Sequence, residues 1–184
     1  MKYAIAVLLV SAMFVPPFSV ARGAQQKTVR ATIQATADRP PAPEFALGDA
    51  SGKSRHLADY RGRPLVVNLW ATDCGGCKLE LPTFVALSRR YKGRATVVGV
   101  SLDIMYEDLK SPAEGWARVK PFAASHGLTY PILLDDGSVE KAFTVTALPA
   151  TYLIDRTGHI AATYIGIVDE ANLDANIKAL LAER

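Results

Sequence analysis

The sequence has 184 residues, of which 49% are hydrophobic and 21% are charged, proportions typical of a globular protein. They exclude a disordered chain, a collagen-like fibre and a coiled coil. The net charge of +3, from 21 basic and 18 acidic residues, is too small to indicate a nucleic-acid partner. Two cysteines and three histidines exclude a disulfide scaffold and do not favour a four-ligand zinc site. We therefore expect no metal site and no cofactor.

Residues 1–21 have the pattern of a secretory signal peptide. Lys2 precedes an apolar run over residues 4–15, and two prolines follow it. Small residues at Ser19 and Ala21 predict cleavage after Ala21. An uncleaved membrane anchor is the alternative, although the run is shorter than the roughly 20 residues that a membrane span needs. The pattern predicts export, to the periplasm or a comparable compartment.

Residues 22–43 are polar, lack periodicity and end in three prolines. We expect a flexible linker there, which would be a membrane tether if the anchor is retained. The folded domain is expected over residues 44–184.

Within this domain the predicted elements alternate between strands and helices. A hairpin spans residues 45–57, turning at 51–53, and an apolar strand follows at 65–70. The later elements are a helix at 74–91, a strand at 95–102, an irregular insertion at 104–112, a helix at 113–126, an extended piece at 131–134, a helical turn at 138–143, strands at 150–154 and 159–166, and a helix at 170–181. Strand–helix–strand connections imply parallel pairing, and the late hairpin implies antiparallel pairing. The order predicts an α/β fold with a mixed central sheet and an N-terminal hairpin extension.

One motif carries redox chemistry. Cys74-Gly75-Gly76-Cys77 follows a buried strand and opens a helix. Residues three apart on a helical turn are close enough for a disulfide. The helix N-terminus favours a thiolate, so Cys74 is the predicted nucleophile and Cys77 the resolving thiol. The alternative is an inert disulfide or two inert thiols, but a disulfide that closes so short a loop stabilises little.

The segment from Trp70 to Cys77 resembles the WAxWCxxC signature of thioredoxin-fold proteins, and is most similar to the exported TlpA/ResA-like thiol–disulfide oxidoreductases. Pro43-Glu44-Phe45, Val67-Asn68-Leu69-Trp70 and the segment from Leu148 to Asp155 support the resemblance. It covers the chain from Pro43 to the carboxyl end. It implies a thioredoxin-like three-layer α/β/α fold.

The resemblance also implies roles for individual residues. Pro149 matches the cis-proline that faces the CxxC motif, where the backbone of Leu148 would pair with an extended substrate. Gly166 matches a glycine beside the same groove, and Trp70 is assigned to the substrate-binding site with them. Glu80 is the best candidate for proton transfer because Asn68 occupies the position where thioredoxins often keep an acid.

Two positions depart from the family pattern. Asp73 replaces an aromatic residue, and its charge should raise the pKa of the Cys74 thiol. Gly75-Gly76 replaces a pair that usually contains proline, which loosens the start of the helix. Both changes affect the expected potential and the choice of partner, and the first points toward a reductant.

The leading hypothesis is an exported reductase of protein disulfides. Family clients include cysteines of apocytochrome c and of copper sites, and a membrane-embedded thiol donor would regenerate the enzyme. A copper-binding module using the reduced CxxC is a second hypothesis. A thiol peroxidase is a third, disfavoured because Ala71 stands where peroxiredoxins have threonine.

Overall fold

The structure, a computed structural model, describes residues 27–183 of the chain. A mixed sheet of seven strands forms its centre, with helices on both faces, which is the thioredoxin-like three-layer α/β/α arrangement that the sequence predicts. The strands are β1 (Ala46–Asp49), β2 (Ser54–His56), β3 (Leu65–Trp70), β4 (Thr96–Ser101), β5 (Ile132–Leu134), β6 (Ala150–Ile154) and β7 (Ile160–Ile165). The helices are α1 (Gly75–Arg90), α2 (Asp103–Tyr106), α3 (Pro112–Ser125), α4 (Ser138–Ala142) and α5 (Glu170–Ala182).

The strand order is β2-β1-β5-β4-β3-β6-β7. Strands β3, β4 and β5 are parallel, because helical crossovers connect them. Strand β6 is antiparallel to β3, β7 is antiparallel to β6, and β1 carries the predicted hairpin onto the edge of β5. Strand β3 therefore lies inside the sheet, and its carboxyl end leads into α1.

All six residues of β3 are buried, because helices and turns cover both of its faces. Its side chains alternate between two layers of core. Leu65, Val67 and Leu69 pack with α4 and the 3₁₀ turn Leu57–Tyr60, whereas Val66 packs with α1 and α5. The two remaining side chains of the strand are Asn68, which contacts Glu80 of α1, and Trp70, which packs against α3. The candidate functional site lies around them.

The predicted helices and strands from 65 to 181 are present, with ends shifted by one or two residues. The segment 104–112, predicted to be irregular, overlaps the short helix α2. It begins at Asp103, which is buried and which the sequence pattern alone did not mark as buried.

The prediction of a flexible linker does not hold for residues 27–43, which we call the N-terminal strap. Val29 pairs with Val168, and Pro41 pairs with His159. Arg39 is buried and forms ion pairs with Asp155 at 3.1 Å and with Glu183 at 2.6 Å. Partners more than 100 residues away in the chain thus hold this segment in place. Residues 22–26 and the predicted signal peptide, residues 1–21, lie outside the described residues.

No helix within residues 27–183 has the length and apolarity needed to cross a membrane.

Candidate active site

The two cysteines form a disulfide at the start of α1. Their Cα atoms are 5.2 Å apart. Cys74 is the N-cap residue of the helix, and its Sγ accepts a hydrogen bond from the backbone N–H of Cys77 at 3.1 Å. When the disulfide is open, the same N–H and the helix dipole favour a thiolate at Cys74.

The two sulfur-bearing residues differ in exposure. Cys74 is half-buried, whereas Cys77 is only 1% exposed. Cys77 packs in an apolar cluster with Trp70 and Val119. An external disulfide can therefore reach Cys74, while Cys77 can react only with a group already attached to Cys74.

A proline loop faces the motif. The peptide bond between Leu148 and Pro149 is cis. A Cβ atom added to Gly76 would lie 3.2 Å from Cδ of Pro149 and 3.5 Å from Cγ1 of Ile167. A Cβ added to Gly75 would meet nothing within 4 Å. Gly76 thus allows the helix and the proline loop to approach closely, in addition to any flexibility that it gives the start of the helix.

The other residues of the predicted groove lie beside this loop. The N–H of Gly166 donates to the carbonyl of Pro149 at 2.8 Å, and Gly166 has a φ of +114°, which favours glycine. Leu148 is half-buried against the cluster that contains Cys77. Within residues 27–183 the main chain of Leu148 makes no hydrogen bond to other main-chain groups. An extended peptide could therefore pair with it.

Trp70 does not belong to this groove, which corrects its assignment to substrate binding. The side chain is fully buried, and its ring stacks on Phe122 with centroids 5.3 Å apart. The cause is the position of Trp70 at the end of a strand covered on both faces, where α3 closes over the indole. Trp70 instead supports Cys77 from below.

Glu80 lies one helical turn after Cys77 on the same buried face of α1 and is 1% exposed. Its Oε1 accepts from Nδ2 of Asn68 at 2.7 Å, and its Oε2 accepts from the N–H of Val168 at 3.1 Å. Burial raises the pKa of Glu80 to about 7, against the opposing effect of these two hydrogen bonds. A carboxyl group with this pKa can take up and release a proton near neutral pH.

Asn68 is suited to both charge states of this acid. Its Nδ2 donates to Glu80 and to Oγ1 of Thr151, whereas its buried Oδ1 has no hydrogen-bond partner among the described residues. Rotation of the amide would present Oδ1 to a protonated Glu80. Asn68 cannot titrate, but by rotating its amide it can hydrogen-bond to Glu80 in either protonation state.

Asp73 is paired with a residue that the sequence did not indicate. Nη2 of Arg118, from α3, donates to the Asp73 carboxylate at 2.7 Å. The expected effect of the Asp73 charge on the Cys74 thiol is therefore opposed by the charge of Arg118. Arg118 stands 45 positions away in the chain, and no local pattern marks it.

Comparison with known proteins agrees with this geometry. The AhpC/TSA family pattern matches residues 39–163. The chain belongs to the AhpC/TSA family. ResA of Geobacillus kaustophilus, a thiol–disulfide oxidoreductase, is 31% identical over 140 residues, which are 76% of this chain and 75% of ResA. The thioredoxin-like protein YneN of Bacillus subtilis is 29% identical over 136 residues, 74% of this chain and 76% of YneN.

Among solved structures, a thiol:disulfide interchange protein of the thioredoxin family from Chlorobium tepidum matches with a TM-score of 0.67 and 26% identity. The match covers 80% of this chain and 100% of that one. Like ResA, this member of the AhpC/TSA family is a thiol–disulfide oxidoreductase that acts through Cys74 and Cys77.

Proposed function

We propose that the chain is an exported reductase of protein disulfides. The observation that carries this proposal is the division of the site into an accessible sulfur, Cys74, and a buried sulfur and acid, Cys77 and Glu80. Cys74 acts in the first step of the reaction, and Cys77 and Glu80 act together in the second.

In the first step the Cys74 thiolate attacks one sulfur of a client disulfide. A bond forms between Cys74 Sγ and that sulfur, the client S–S bond breaks, and the other client sulfur leaves as a thiolate that takes a proton from solvent. The helix N-terminus stabilises the attacking thiolate.

In the second step Cys77 loses its proton to Glu80 and attacks Cys74 Sγ. The Cys74–Cys77 disulfide forms, the mixed disulfide breaks, and the second client sulfur leaves and takes the proton back from Glu80. The client has gained two electrons and the enzyme has lost two. The raised pKa of Glu80, caused by burial, suits it to both transfers.

We assign client binding to the groove formed by Leu148, Pro149 and Gly166. The main chain of Leu148 would pair with an extended client segment, placing the client disulfide over Cys74. Pairing through main-chain atoms depends little on the client's side chains, which suits an enzyme that acts on unfolded segments.

The reducing direction follows from the charge behind Cys77. An ionised Glu80 disfavours a thiolate at Cys77, so ionisation does not stabilise the reduced pair, and the reduction potential is lower than it would be with a stabilised thiolate. Clients would be exported proteins whose paired cysteines must be reduced before they bind haem or copper. A membrane-embedded dithiol would return the two electrons, and residues 1–21 would direct the chain to that compartment or anchor it there.

Substitution of the resolving cysteine tests the mechanism. The variant Cys77→Ser should accumulate mixed disulfides with client proteins, because the first step proceeds and the second cannot. Peptide mapping should place the client on Cys74. The matched variant Cys74→Ser should accumulate none, since the remaining thiol is buried. Equal trapping by both variants would refute the division of roles.

Equilibration with glutathione buffers tests the direction. A reduction potential of the Cys74–Cys77 pair well below that of the compartment supports a reductase. A potential above it would identify an oxidant and overturn the proposal.

A further inference from the structure

Arg118 contacts three carboxylates and a threonine, and two of these four partners, Thr72 and Asp73, lie directly before Cys74. Its Nε donates to Oγ1 of Thr72 at 2.7 Å and to Asp103 at 3.2 Å. Its Nη2 donates to Asp73 at 2.7 Å and to Glu107 at 3.0 Å. One side chain on α3 thus contacts Thr72 and Asp73, two of the three residues that link β3 to the redox motif.

The same segment is held from below by Asp103. This carboxylate is fully buried and accepts from the backbone N–H of Thr72 at 3.2 Å, from Oγ1 of Thr72 at 2.5 Å and from Oγ of Ser101 at 2.6 Å. With these bonds made, Thr72 is fixed in position. The backbone of the following residue, Asp73, is therefore held beside Cys74, and its exposed carboxylate is oriented by the ion pair with Arg118.

Charges of both signs surround Cys74. A groove of about 400 Å³ beside the motif is lined by Thr72, Asp73, Lys78, Arg118, Phe122 and His126. The buried Asp103, the partly buried Glu107 and, behind Cys77, Glu80 add negative charge. Arg118 is the one cation in this set that contacts three of the four carboxylates directly.

We propose that Arg118 is a positioning residue for the redox reaction, which neutralises Asp73 and thereby keeps Cys74 reactive. Without the guanidinium, the negative charge of Asp73 would act on the neighbouring sulfur and disfavour the thiolate. The planar fork of arginine makes all four contacts at once, which a lysine ammonium cannot do. The inference rests on the proposed role of Cys74 as the attacking thiol.

The rate at which iodoacetamide alkylates Cys74 in the reduced protein at pH 6 measures the thiolate directly. We expect Arg118→Met to lower this rate about two- to fivefold, the effect of one partly screened charge near the sulfur. Asp73→Asn should raise the rate by a similar factor. The double variant should return to the wild-type rate, and Arg118→Lys should lie between Arg118→Met and the wild type.

Arg89→Met is the matched control. It removes the same charge from an exposed position near the end of α1, the helix that Cys74 caps, whereas Arg118 lies on α3. At roughly 1.5 Å per residue that position lies about 22 Å along the helix from Cys74, well beyond the distance at which salt screens a charge. Its alkylation rate should equal that of the wild type.

Reduction potentials provide a second measurement. Arg118→Met should shift the potential of the disulfide to a more negative value, because it destabilises the reduced form, and Asp73→Asn should shift it in the opposite direction. A change in packing alone would not reverse sign between the two variants.

Two results would overturn the proposal: an unchanged rate in Arg118→Met, or a lowered rate that Asp73→Asn does not restore. If Arg118→Met does not fold, Asp73→Asn decides alone, and an unchanged or slower rate refutes the inference. The order in which the two cysteines of the wild type are alkylated separates a failure of this inference from a failure of the proposed function. If Cys77 is alkylated before Cys74, the assignment of the nucleophile fails; if Cys74 reacts first and the variants match it, only the role of Arg118 fails.

Discussion

Replacement of Glu80 by glutamine should change how the stability of the fold depends on pH. The carboxyl group is 1% exposed, and burial raises its pKa from 4.5 to about 7. The folded protein therefore binds a proton more tightly at this site than the unfolded chain does. Stability from this group is complete below pH 4.5 and is lost as the pH rises through 7.

The size of the effect follows from the shift. A difference of about 2.5 pKa units corresponds to roughly 3 kcal/mol of unfolding free energy lost between acid and alkaline pH. Glutamine cannot ionise, so the unfolding free energy of Glu80→Gln should not fall in this way as the pH rises. At pH 5 the variant should be somewhat less stable than the wild type, because its amide carries two N–H donors where the protonated carboxyl carries one, and Oδ1 of a rotated Asn68 can accept only one of them. At pH 8.5 the order should reverse.

Urea unfolding of the oxidised proteins at pH 5 and pH 8.5 measures this difference. Glu44→Gln is the control, because Glu44 is an exposed carboxylate. Should the free-energy difference between Glu80→Gln and the wild type stay constant within about 0.5 kcal/mol over this range, Glu80 does not change its charge there. Its assignment as the proton carrier would then lose its physical basis.

Two further pairs of variants test the packing around the site. Gly76→Ala should cost about 1–2 kcal/mol and slow client reduction, because its methyl group meets Pro149 at 3.2 Å, whereas Gly75→Ala should be neutral or slightly stabilising; equal effects would contradict the close contact. Arg39→Met should cost about 3 kcal/mol in thermal unfolding because it leaves a buried carboxylate without its partner. Arg61→Met, which breaks an exposed pair, should cost less than about 1 kcal/mol, and a similar loss in both would refute the argument.

The redox pair and the elements that present it follow from local sequence. The apolar run of β3 predicts a strand covered on both faces, and the CxxC spacing predicts a disulfide on the first turn of α1. Both depend on residues that lie within a few positions of one another. The cis bond before Pro149 came from the family resemblance, and local sequence alone would have favoured a trans bond.

The remaining parts of the site depend on contacts between distant segments. The sequence around Arg118 predicts a solvent-exposed helix residue, and only the packing of α3 beside β3 brings it to Asp73. Arg39 reads as part of a polar linker, since its partners Asp155 and Glu183 lie 116 and 144 positions away. The assignment of Trp70 to substrate binding was wrong because the family signature records that a residue occurs near the motif, not whether its side chain is covered.

The N-terminal strap touches the loop that holds the acid. The N–H of Val29 donates to the carbonyl of Ile167 and its carbonyl accepts from Asp169, so its two bonds bracket Val168, the residue that donates to Glu80. A shortened protein that starts at residue 44, where composition alone would place the domain boundary, would uncover this loop. Glu80 would then be titrated in surroundings that it does not have in the longer chain, and rates measured on such a fragment would describe a different catalyst.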